Sequence, residues 1–164
     1  MDSGSVLHTE GRLLPAIQAS FAYDPGAPRT NSGTAAHGAS RINGAAVSSL
    51  PEDQRRLSVQ GKVGSDGTAT GNLSFTHHSP SGLSRFTARV TCLEFDEGRT
   101  EVSGTITKGE TASGVVLDGK MVAFTLDTEG EQNFSLPRIG PGAADCGGGR
   151  ADIVPVTQAG FHIR

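Results

Sequence analysis

The chain has no tryptophan, one tyrosine (Tyr23) and only two cysteines, so a cysteine-rich metal site is excluded from the start. Cys92 and Cys146 stand 54 positions apart, which rules out a CxxC redox or zinc motif. A disulfide and a pair of free thiols both remain open. No stretch approaches the roughly 18 apolar residues a membrane helix needs. The longest basic block is Arg55-Arg56 and the net charge is -3, so neither nucleic acid nor an anionic membrane is an expected partner. Met1-Asp2-Ser3-Gly4-Ser5 lacks the basic start of a signal peptide, and Leu13-Leu14 is interrupted by Pro15 and Gln18. As written the chain reads as cytoplasmic; if Met1 stands in place of a removed signal, it is exported.

Catalytic signatures are missing too. There is no G-x-S-x-G nucleophile elbow. Gly147-Gly148-Gly149 is followed by no helix and no Lys-Ser/Thr pair, so it cradles no phosphate. His8, His37 and His162 are scattered singly, without the three or four convergent ligands a metal requires. No metal and no cofactor is expected.

What is present is turn punctuation and alternation. Gly and Pro supply 31 of 164 residues and, with Ser and Thr, cluster between apolar runs. Leu, Ile, Val and Phe number 35 of 164, close to the roughly 20% below which chains tend to stay unfolded. The core is therefore affordable but has nothing to spare. Leu57, Val59 and Val63 alternate with Ser58, Gln60 and Lys62, the period of a strand buried on one face. Gly64-Ser65-Asp66-Gly67 is a four-residue turn, and Ala69 to Phe75 returns with apolar residues at odd positions. A loop follows at His77 to Gly82. Phe86, Ala88, Val90 and Cys92 then share a parity that flips at Leu93 and Phe95, which predicts a β-bulge at Cys92-Leu93. Asp118-Gly119 between Val115-Val116-Leu117 and Lys120 to Leu126 predicts a type I′ hairpin. Short strands at Phe134 to Leu136, Ile153 to Val156 and Phe161 to Ile163 close the pattern, with Arg138 to Arg150 as loop.

Residues 1–50 are hard to read: one strand could lie in Leu13 to Tyr23, and Asp24 to Ser49 resembles a long excursion or arm. Ser49-Leu50-Pro51-Glu52 has the form of a capping box with proline in the first turn, predicting one helical turn. The fold expected is therefore all-β, a single antiparallel β-barrel or barrel-like sandwich of about eight or nine short strands over residues 51–164.

Ala69 to Phe75 (ATGNLSF), Phe86 to Phe95 (FTARVTCLEF), Thr100 to Thr105 (TEVSGT), Asp145-Cys146 and Gly160 to Ile163 together resemble a loosely defined, largely uncharacterised all-β family common in actinobacteria. Many of its members are exported. The likeness covers residues 57–164. In that family the two cysteines occur together, which implies that Cys92 and Cys146 are close in space and raises the disulfide reading; the family implies no chemistry.

Candidate site residues are few. His77 and His78 sit where loops carry binding groups, although as strand neighbours only one could face a given site. Asp127, Glu129 and Glu131 could pair as carboxylates, but Thr128, Gly130 and Gln132 make that stretch read as a solvated turn. Asn72-Leu73-Ser74 and Asn133-Phe134-Ser135 match the glycosylation sequon. Phe75, Phe86, Phe124 and Phe134 fall on inward parities of successive strands. They are either plain core or the lining of an apolar pocket, with Tyr23, His77 or Arg85 near its mouth. A pocket would point to an apolar small molecule as partner. The enzyme it would suit is a cofactor-independent cyclase or isomerase acting on a hydrophobic polyketide-type natural product by shape and proximity. The alternative is an exported, disulfide-stapled structural or surface module without enzymatic activity.

Overall fold

The computed structural model describes residues 32–34, 40–143, 146, 152–154 and 156–164. Over these residues it is all-β, with eleven strands and one 3-10 turn at Pro141–Ala143. β1 (Ser32–Thr34) pairs in parallel with β5, and the other ten strands are antiparallel. These are β2 (Arg41–Leu50), β3 (Asp53–Val63), β4 (Ala69–Ser79), β5 (Gly82–Asp96), β6 (Arg99–Glu110), β7 (Met121–Asp127), β8 (Asn133–Ser135), β9 (Arg138–Ile139), β10 (Ile153–Val154) and β11 (Gln158–Ile163).

They form one sheet in the order β10-β8-β7-β6-β5-β4-β3-β2-β11, curled into a half-barrel. The predicted alternation governs β3 and β4: Leu57, Val59, Leu73 and Phe75 are all buried on the concave face. One apolar cluster joins residues from both ends of the strand order, with Phe161 of β11 and Val154 of β10 in the same core as Phe124 and Phe134. The two sheet edges meet at Gln132. Its Nε2 donates to the C=O of Phe161 at 3.0 Å, and its Oε1 accepts from the N–H of Phe161 at 2.9 Å. A side-chain amide thus makes the two hydrogen bonds a neighbouring strand would make. This matters because an unpaired edge invites another chain.

Several local expectations are corrected. The stretch read as part of a long excursion contains β2, ten residues that lie between β3 and β11, so the sheet begins well before residue 51. The capping-box sequence forms no helical turn. Leu50 pairs with Asp53, and Pro51-Glu52 make a tight hairpin with φ 62° at Glu52. The loop expected at His77 to Gly82 is mostly strand, because β4 runs on to Ser79 and pairs with Gly82.

The bulge in β5 falls between Val90 and Cys92, one residue earlier than expected, with a second irregularity at Thr87/Ala88. Cys92 therefore shares the convex face with Ser103, while Leu93 and Phe95 point into the core with Val90. Asp118-Gly119 does not close a type I′ hairpin. The reversal after β6 is at Thr111 to Val115, where the N–H of Thr111 donates to the C=O of Val115. Asp118-Gly119 is instead a bow in the returning chain: the N–H of Lys120 donates to the C=O of Leu117, and Asp118 Oδ1 accepts from the N–H of Gly109. Gly119 supplies the positive φ (78°) that the bow needs. Within the stretch expected to be loop, β9 pairs with β7.

Candidate functional site

The concave face is filled in its middle by phenylalanine. Phe75 and Phe86 face each other across β4 and β5, and Phe124 completes a triangle with ring centroids 5.4, 5.4 and 6.3 Å apart. Phe124 and Phe134 are fully buried. The four rings pack against protein, as close-packed interiors do. Tyr23 lies outside the described residues.

One strand pair beyond this aromatic layer, towards the barrel mouth, the face turns polar. Ser48 and Arg55 oppose each other, as do Arg55 and His77, and His77 and Ser84. Asp53 joins two of them: Arg55 Nη2 donates to its Oδ2 at 2.8 Å, and His77 Nε2 lies 3.1 Å from its Oδ1. Ser48 Oγ and Arg55 Nε are buried without a hydrogen-bond partner among the described residues. His77 thus stands at the mouth, half-buried above the aromatic core, and His78 points to the opposite, exposed side.

Arg85 is elsewhere. It is exposed on the convex face opposite Thr76 and Glu110. With Lys108, Val116 and Asp118 it borders a groove of about 560 Å³ across β4, β5 and β6. Phe75 and Phe86 contribute to its floor, yet both are buried with their rings in the core. The sequence-derived residues therefore separate into a core triangle with Phe134, a mouth histidine and a convex-face arginine. Asp127, Glu129 and Glu131 lie at the end of β7 and in the β7–β8 connection, where Glu129 and Glu131 are exposed. No three His, Cys, Asp or Glu groups among the described residues gather as a metal cage.

The second built feature surrounds the cysteine pair that the family resemblance implied. Thr100 to Gly104 of β6 and Met121 to Leu126 of β7 are buried on both faces, and Ala143 and Cys146 lie against their convex side. Cys92 and Cys146 form a disulfide there, with Cα atoms 5.8 Å apart. Met121, Ala123 and Ala143 make a small second core next to it. Glu101 is enclosed in the same layer at 9% exposure. Thr125 Oγ1 donates to its carboxylate at 2.8 Å, and Arg138 Nη2 at 3.3 Å. Desolvation pushes the Glu101 carboxyl above its ordinary range, against the opposing pull of Thr125, Arg138 and Arg99. The alternation gave no hint of this layer, since a strand buried on both faces, such as Met121 to Leu126, reads as a near-continuous apolar run without a polar face.

Comparison with protein-family models, with curated proteins and with solved structures finds no match.

Proposed function

We propose that the chain is a disulfide-stapled β module that works outside the reducing cytosol and acts by binding at its surface rather than by catalysis. The Cys92–Cys146 bond carries this reading. It closes a loop spanning 54 positions, for which the chain-entropy model gives about 4 kcal/mol of stabilisation. Structural disulfides persist in oxidising compartments and are rare in the cytosol. The bond also holds the covering layer over β6 and β7, so its loss would expose Met121, Ala123 and the Glu101 carboxylate.

The test is a thiol titration on protein purified without reductant, in denaturant, followed by urea unfolding with and without reductant. No titratable thiol and a reduced form less stable by about 4 kcal/mol are expected. Two titratable thiols per chain would remove the proposal's basis.

The small-molecule reading finds less support. Three of the four rings that would line a pocket pack against one another, so a ligand would have to open the Phe75–Phe86–Phe124 cluster. Saturable binding of a hydrophobic polyketide-like probe that disappears in Phe124→Trp would revive it.

A further inference from the structure

The convex face of β11, β2, β3 and β4 carries a second groove, of about 530 Å³, and its chemistry differs from the first. Strand pairing brings two rows of side chains to its sides. In one row Arg164, Arg41 and Lys62 stand directly opposite one another on consecutive chains, followed by Thr70. In the other, His162, Asn43, Gln60 and Asn72 align in the same way, and Arg89 comes next on β5. All of these side chains are exposed. No Asp or Glu lines the groove, and none of the three cations has an ion-pair partner among the described residues.

Like charges placed directly across a strand pair destabilise it, and here two such pairs are adjacent in a protein of net charge -3. The arrangement is unfavourable for folding and favourable for an anion. Strands are spaced about 4.8 Å apart, so the cations recur at a distance close to one pyranose residue. The amide row adds both donors and acceptors beside them. No Phe, Tyr or Trp lines the groove, so it lacks the large ring platforms on which nucleobases or the apolar face of a neutral sugar stack.

We propose that this groove binds an acidic polysaccharide, its carboxylates on Arg164, Arg41 and Lys62 and its hydroxyls on Asn43, Gln60 and Asn72. The site requires no catalytic group and stands whether or not the disulfide assigns the compartment.

Calorimetric titration of the full chain with oligogalacturonate tests it, with neutral dextran oligomers and single-stranded RNA run in parallel. Saturable binding of oligogalacturonate is expected, weakened by 0.5 M salt as the charges are screened. Dextran should show none. The paired change Arg41→Gln/Lys62→Gln should weaken binding about tenfold or more, since it removes two of the three charges that hold the carboxylates. Arg56→Gln/Lys120→Gln, removing two exposed cations outside the groove, should leave it unchanged. The proposal is overturned if no acidic oligosaccharide binds, if the groove variant binds like the parent while keeping its circular dichroism spectrum, or if RNA binds as tightly as oligogalacturonate.

Discussion

Replacing Gln132 by alanine is the sharpest test of how the half-barrel is held shut. Its amide makes three hydrogen bonds: Nε2 to the C=O of Thr128 and of Phe161, each at 3.0 Å, and Oε1 from the N–H of Phe161 at 2.9 Å. Phe161 is 4% exposed and already pairs with Gly44 of β2 across a position that leaves its N–H and C=O facing away from that strand. Gln132→Ala therefore removes three bonds worth about 1 kcal/mol each and leaves a buried N–H without a partner. Partial rehydration at the seam offsets part of this, giving a net loss of about 3 kcal/mol. With a urea dependence of about 2 kcal/mol/M for a domain of this size, the unfolding midpoint should fall by roughly 1.5 M. Gln132→Glu keeps the acceptor for Phe161 N–H but loses both donations, so a comparable loss is expected. Hydrogen exchange read at the Phe161 amide should accelerate in both variants ahead of global unfolding. A midpoint for Gln132→Ala within about 0.3 M of the parent would refute the seam argument.

Three further outcomes are expected. Phe124→Ala should destabilise by about 3–5 kcal/mol, because the ring is fully buried against Phe75 and Phe86; urea unfolding measures it. Cys92→Ser/Cys146→Ser should lose about 4 kcal/mol in the same assay and expose the layer over β6 and β7, read as faster proteolysis after Arg138. The raised Glu101 carboxyl means that the folded state holds a proton more tightly than the unfolded chain. Its contribution to stability is therefore full below the unfolded value and is lost as pH rises through the folded one. Relative to Glu101→Gln, the parent should gain stability as pH falls across that window, and a constant difference would contradict the assignment.

The legible parts were those where one face is apolar and the other polar. β3, β4 and the first half of β5 show this contrast, and Leu57, Leu73, Phe75, Phe86 and Ala88 lie where their parity puts them. β2 was hidden because its middle is Gly44-Ala45-Ala46, small residues that carry little contrast. Gly44 is there for a reason found only in space: a Cβ at that position would run into the backbone of Gly160 on β11. At Asp118-Gly119 the local chemistry was read correctly as a positive-φ turn, but its role as a bow within a longer pairing depended on Thr111 to Val115 reversing the chain first. His77 and Arg85 were both named as mouth residues from their place beside an expected loop; because that stretch is strand, neighbours alternate faces, and Arg85, adjacent to inward Phe86, falls on the convex side while His77 stays on the concave one.

By itself the sequence determined the all-β class, the concave face of the central strands and the Gly64 to Gly67 turn, because each depends on neighbours a few residues apart. The tertiary structure alone decided the rest. Whether four inward rings fill a core, which cysteine face the covering layer meets, how Gln132 joins edges formed by distant segments, and that Arg164, Arg41 and Lys62 stand in one row are all set by strand order. Strand order joins residues more than a hundred positions apart, and no local period encodes it.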